Sequence, residues 1–153
     1  MKTWEEAAKD AAVSGSAAAV ASALVLAAGG HAKSGTPIGP INAVSHWIWG
    51  DRAFVQDGVD TRHTLTGWLI HHSAALFWAL LYEKLLGRPG KTPAQTVRDA
   101  ALATTVAFVV DYRFTPRRLM PGYEERVSKK SLLLAYGALG LAAGTALNGR
   151  NRR

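Results

Sequence analysis

Three histidines, two tryptophans, a tyrosine and a glutamate occur within one apolar stretch, residues 62–86, which reads RHTLTGWLIHHSAALFWALLYEKLL. Imidazole and carboxylate groups can bind metal ions, exchange protons or hydrogen-bond a ligand. Ionisable side chains are costly at membrane depth and usually face a protein interior or a water-filled cavity there. The stretch therefore predicts a polar site on a segment that is otherwise apolar enough to lie in lipid.

The polar side chains of this stretch share one arc when it is drawn as a helix with 100° per residue. As candidate ligand-binding residues the arc contains His63, Trp68, His71, His72, Tyr82 and Glu83. Ala75 and Ala79 lie in the middle of the arc, where they leave room for a ligand. His72 is central and His71 lies at the edge, so we expect His72 to face the interior. The alternative is a structural polar face that hydrogen-bonds a neighbouring helix.

Two further candidates lie outside this stretch. His46 belongs to a loop segment, residues 42–54, whose tryptophans predict a position along the membrane interface. Helical spacing within that segment directs His46 toward the mouth of the bundle. Asp111 ends another apolar stretch, where it is either an ordinary charged helix end or an acceptor for a histidine or arginine of the polar face.

The histidines raise the question of a metal or haem centre. Five histidines and no cysteine exclude thiolate sites and disulfides but leave iron, copper, zinc or a bis-histidine haem open, with His46, His71 and His72 as candidate ligands. The repeated histidine boxes of membrane di-iron enzymes are not reproduced. The sequence also lacks a Walker loop, GxSxG, HExxH and a dinucleotide fingerprint. No catalytic residue is therefore assigned, and a metal- or haem-binding redox protein or enzyme remains the alternative function.

The elements that must position these residues follow from the distribution of apolar residues. The chain has 153 residues, enough for one domain, and its charges lie between apolar blocks. Four blocks approach the length of about 20 residues that a membrane helix needs: 11–30, 63–86, 93–112 and 131–147. A cleaved signal peptide is the rival interpretation of the first block. We predict an all-α integral membrane fold, with four transmembrane helices in a bundle and an interfacial segment in the first loop.

Small residues predict where the helices approach one another. Ser14, Ala18 and Ser22 repeat every four residues in the first block, and Gly140 and Gly144 do so in the last. Close backbone approach at small residues holds helices together in lipid. Both patterns are interpreted as packing surfaces of a tight antiparallel bundle.

The net charge of +7 and the basic pI would suggest nucleic acid in a soluble chain. Here the basic residues flank apolar blocks, which favours contact with anionic lipid headgroups instead. Arg113, Arg117 and Arg118 are the candidate headgroup residues. The numbers of lysines and arginines are equal on the two predicted sides of the membrane. The high density of positive charge in the short C-terminal tail and in the second loop favours termini in the cytoplasm.

Three segments that contain polar residues are separated by apolar stretches: INAVSHWIWGDRA, RHTLTGWLIHHSAALFWALLYE and DYRFTPRRLMPGYEE. This pattern resembles small uncharacterised bacterial inner-membrane proteins. The resemblance implies a polytopic bundle in that membrane and no particular activity. The predicted function is that of a non-enzymatic or accessory membrane protein. Its polar pocket would bind a partner subunit, a lipid headgroup or a small ligand, and its partners would be membrane lipids, another subunit or a second copy.

Overall fold

The computed structural model describes residues 1–147, and within these residues it is helical without strands. Its six α-helices are α1 (Trp4–Ser34), α2 (Gly39–Val44), α3 (His46–Trp49), α4 (Thr66–Leu85), α5 (Pro93–Val109) and α6 (Lys129–Thr145). A wider turn, Thr61–Leu65, precedes α4, and a similar turn, Val110–Phe114, extends α5. The predicted all-helical class is thus confirmed.

Local capping explains where the long helices begin. Thr3 and Glu6 form a reciprocal capping box that starts α1 upstream of the predicted boundary, and the acidic first turn suits the positive end of the helix dipole. Thr92 and Gln95 form the same box at the start of α5. The helix begins at Pro93, as the sequence predicts. Each cap satisfies backbone N–H groups that the helix itself leaves without partners.

The long helices alternate in direction around a central α1. Helix α1 packs extensively on α4 and α6, and α5 packs on α6. By contrast, α4 and α5 make few contacts, although a short loop joins them. The four helices therefore form an incompletely closed bundle with a gap between α4 and α5.

Small residues set the close helix contacts, as predicted. Ser14, Ala18 and Ser22 are all buried on α1. On α6, a Cβ atom added at Gly140 would lie only 2.9 Å from the carbonyl oxygen of Ala100 on α5. These positions admit the neighbouring backbone because they carry little or no side chain.

The first loop packs against the bundle through α2. Every residue of α2 is buried. The backbone of Ile41 lies against Gly67 of α4, and a Cβ atom added at Gly67 would collide with the carbonyl group of Ile41. The Asn42 amide donates to the carbonyl oxygens of Gln56 and Gly58, at 3.0 and 2.8 Å. Asn42 thus satisfies the returning loop from inside, whereas Ile48 and Trp49 of the same segment are exposed, so the interfacial position of residues 42–54 stays a prediction.

Among residues 1–147, α1 is the one helix that is long and apolar enough to cross a membrane by itself. Such a helix is also found in the cores of soluble proteins and in signal sequences, so the four-span arrangement is not confirmed. Helices α5 and α6 contain 17 residues each. At 1.5 Å per residue each is about 26 Å long, close to the lower limit for a span.

Candidate functional site

A cleft of about 590 Å³ lies beside α4 and reaches inward to α1. One wall is α4, the facing wall is α6, and the end is closed by the Val110–Phe114 turn and the loops around Val44 and Pro121. Its polar lining includes Ser22, Trp47, His71, Ser73, Trp78, Asp111, Thr115, Tyr123 and Tyr136. The rest of the lining is mainly aliphatic and aromatic. The volume is in the range of pockets that hold small organic molecules.

His71 is held in one tautomer at the inner end of the cleft. Its Nε2 lies 3.0 Å from the carbonyl oxygen of Ala19, which can only accept, so Nε2 carries the proton. Its Nδ1 must then accept from the hydroxyl of Tyr123, at 2.6 Å. Burial raises the pKa of the Tyr123 hydroxyl, which keeps it a donor. Ser22 supplies a second acceptor for Nε2 at 3.3 Å, because its own proton goes to Ala18.

The expected ranking of the two adjacent histidines is wrong. His71 is 3% exposed and central to the contact between α4 and α1, whereas His72 is half-buried and, among residues 1–147, hydrogen-bonds only Ser16, at 3.2 Å. The buried face of α4 is centred on Ala75 and Tyr82 instead of His72. The small side chains at Ala75 and Ala79 admit α1 itself, so the space beside them is largely filled by a helix.

Asp111 lies at the far wall of the cleft and accepts from the hydroxyl of Tyr136, at 2.6 Å. The Trp78 side chain faces the same carboxylate. The predicted histidine or arginine donor is therefore replaced by a tyrosine of α6. Among residues 1–147, no lysine, arginine or histidine forms an ion pair with Asp111.

The other predicted histidines have local structural partners away from the cleft. His46 is buried, donates from Nδ1 to the carbonyl oxygen of Ala43 at 2.8 Å, and packs on Phe54. It does not line the cleft. His63 lies 2.9 Å from the carboxylate of Asp60, which also caps the start of the turn before α4. Trp68 packs on the rings of His71 and His72 without lining the cleft.

Tyr82 and Glu83 lie at the opposite end of the bundle. The hydroxyl of Tyr82 accepts from Lys91 at 2.9 Å, and Glu83 pairs with Lys2 at 2.5 Å. Lys2 also pairs with Asp10, at 2.7 Å. These contacts tie the beginning of α1 to the end of α4, and they separate Glu83 from the histidines with which the helix projection grouped it.

No group of three potential metal ligands occurs within residues 1–147. Both ring nitrogens of His71 already have partners, so coordination through either one requires a hydrogen bond to be broken. His46, His71 and His72, the three candidate ligands, lie in separate environments.

Several cleft residues were not predicted from the sequence: Trp47, Trp78, Tyr123 and Tyr136. Trp78 could have been found, because it shares a helix with His71 and carries a polar N–H on an apolar segment. Tyr123 and Tyr136 have no comparable signal in the sequence. Their roles depend on a loop and a helix that reach the cleft only in the folded chain.

The candidate headgroup residues lie next to the end of the cleft. Arg113, Arg117 and Arg118 are all exposed. Thr115 and Leu119, which alternate with them along the chain, line the cleft. Residues 113–119 therefore present Thr115 and Leu119 to the cleft and basic side chains to the surroundings.

No protein-family model, curated protein or solved structure matches the chain. The cleft, its polar groups and the surface of the bundle are therefore the features that bear on function.

Proposed function

We propose that the protein is a small, non-enzymatic helical membrane protein that binds an apolar or amphiphilic small molecule in the cleft between α4 and α6. The observation that carries this proposal is the cleft of about 590 Å³, which opens on the side of the bundle. A lipid headgroup, an alternative occupant, is distinguished by the nanodisc comparison described below.

The outer surface of the bundle supports a membrane location. Large apolar side chains are more than 40% exposed on all four long helices, including Val20, Leu24, Leu69, Phe77, Leu102, Val106, Leu133 and Leu134. Exposed apolar surface on this scale is uncommon in soluble monomers and favourable in lipid. Only 39% of the most apolar part of α1 is buried within the protein.

The cleft combines an apolar surface with few polar groups, as small-molecule sites generally do. Leu69 and Phe77 form part of its α4 wall and are each more than half exposed. Because α4 and α5 separate here, a molecule dissolved in the hydrocarbon region can enter from the side. Burial of its apolar surface against these walls stabilises the bound state.

Saturable photolabelling tests this function directly. Full-length protein in detergent micelles is irradiated with increasing amounts of a neutral phenyl diazirine, and modified residues are mapped by mass spectrometry. Labelling at Ser73 and Leu139, on facing walls, is expected to saturate. Labelling at Leu102 and Leu134, which are exposed outside the cleft, is expected to rise linearly.

Two cleft-filling variants and one control complete the test. Ala74→Trp places a large side chain in the cleft from α4, and Leu139→Trp does so from α6. Leu85→Trp makes the same type of change on α4, at a position 63% exposed and outside the cleft. Saturable labelling should be lost in both filling variants and retained in the control. Linear labelling at every position of the wild-type protein would overturn the proposal.

A further inference from the structure

Within residues 1–147, Asp111 differs from the fully buried carboxylates in its lack of a cation. Glu83 pairs with Lys2, and Asp99 pairs with Lys91 at 3.1 Å and Arg98 at 2.7 Å. Asp111 is partly buried in the cleft wall and has only a tyrosine hydroxyl as its close hydrogen-bond donor. A carboxylate in apolar surroundings is stabilised by an opposite charge, which residues 1–147 do not supply here.

Two aromatic side chains line the cleft beside the same carboxylate. Trp78 and Tyr136 line the cleft with Asp111, and Phe108 and Tyr112 pack against Tyr136 at centroid distances of 5.3 and 6.2 Å. The faces of tryptophan and tyrosine rings attract organic cations. The combination of a carboxylate, aromatic faces and an apolar cleft is complementary to a positive charge on an apolar body.

Resting on the proposed function, we infer that the ligand of the cleft is a small organic cation, with an ammonium group near Asp111 and an apolar body between α4 and α6. Asp111 supplies the opposite charge, and Tyr136 orients its carboxylate through their hydrogen bond. Trp78 provides an aromatic face for the cation, while Leu69 and Phe77 contact the apolar part.

A matched pair of probes separates charge from shape. One is a phenyl diazirine that carries a trimethylammonium group, and the other carries a tert-butyl group of nearly the same size. Saturable labelling of the cleft is measured for both in the full-length protein. The wild-type protein should bind the cation about tenfold or more tightly than the neutral isostere, because the positive charge is attracted to the Asp111 carboxylate and to aromatic faces.

Variants assign the preference to particular residues. Asp111→Asn keeps the shape of the side chain and should reduce the preference for the cation to about onefold, while binding of the neutral probe is retained. Trp78→Leu removes an aromatic face and should reduce the preference about threefold. It also provides an independent test if Asp111→Asn fails to fold. An unchanged preference in both variants would contradict the inference.

The two proposals fail in different ways. Absence of saturable binding of the neutral probe to the wild-type protein would overturn the proposed function itself. Saturable binding of both probes with equal affinity would leave that function and overturn only the cation assignment. A lipid with a choline headgroup is the rival source of an ammonium group. Loss of cation labelling in phosphatidylcholine nanodiscs, with retention in phosphatidylglycerol nanodiscs, would assign the cleft to lipid and overturn the small-cation proposal.

Discussion

The hydroxyl of Tyr123 donates a hydrogen bond to Nδ1 of His71 over 2.6 Å and thereby joins the third loop, residues 115–128, to the middle of α4. The opposite side of the imidazole donates to the backbone of α1 at Ala19. One histidine thus connects three parts of the chain that are distant in sequence. Its complete set of partners favours a structural role, with the cleft formed beside it.

Removal of the Tyr123 hydroxyl should destabilise the protein. Tyr123→Phe leaves Nδ1 of His71 without a donor, and the expected loss is about 1 kcal/mol. The measurement is the unfolding temperature in detergent. Tyr112→Phe is the control, because the Tyr112 hydroxyl is buried without a hydrogen-bond partner among residues 1–147. Equal losses in the two variants would refute the assigned role of the Tyr123 hydroxyl.

The order of importance of the two histidines provides a second prediction. His71→Ala removes hydrogen bonds to two other parts of the chain and should lower the unfolding temperature more than His72→Ala, which removes a hydrogen bond to Ser16. The helix projection instead placed His72 toward the interior and His71 at the edge. A larger effect of His72→Ala would show that α4 is rotated relative to the arrangement described here.

Two glycines on α6 provide a matched test of helix packing. Gly140→Ala adds a methyl group that meets Thr104 and the backbone of Ala100, whereas Gly137→Ala finds open space. Alanine favours a helix over glycine by about 1 kcal/mol, so Gly137→Ala should be neutral or stabilising. Gly140→Ala should be destabilising because α5 must move away. The measurement is the unfolding temperature of both variants in the same detergent. Stabilisation of both would contradict the close contact between Gly140 and α5.

The exposed arginines should determine contact with anionic lipid. Arg117→Gln combined with Arg118→Gln should reduce co-purifying anionic lipid, with a larger effect at low salt because headgroup attraction is screened within a Debye length. The control is Lys9→Gln combined with Arg88→Gln, which also removes two positive charges. Both residues lie at the other end of the bundle, where Lys9 pairs with Glu5 and Arg88 with Asp99. Lipid content that is unchanged at every salt concentration would argue against headgroup binding by this loop.

Both termini should be accessible from the same side of a membrane. Lys2 contacts Glu83, and Gly144 lies beside Tyr82, so the beginning of α1 and the end of α6 meet at the same end of α4. Single cysteines can be introduced into this cysteine-free chain and tested with a membrane-impermeant maleimide. Cysteines at positions 3 and 145 should react from one side, and a cysteine at position 117 from the other. Reaction of all three cysteines from one side would contradict the predicted arrangement of four transmembrane helices.

Local sequence signals were sufficient for the helices and several of their contacts. Thr92 and Pro93 predict the start of α5, because capping and proline geometry act within a few residues. Ser22 and Gly140 predict close helix approach for an equally local reason, since small side chains leave the backbone accessible. The confinement of charge to the regions between apolar blocks predicts four long helical segments and their alternating direction.

Only the tertiary structure decided which polar residues meet. A helix projection gives angles between His71 and His72 but not the direction from which α1 approaches, and that direction buries His71. Asp111 and Tyr136 are 25 residues apart and meet because α5 and α6 pack side by side. The sequence by itself thus determined the helices and the small-residue surfaces through short-range physics. The cleft and its polar partners depended on long-range packing, which no local pattern specifies.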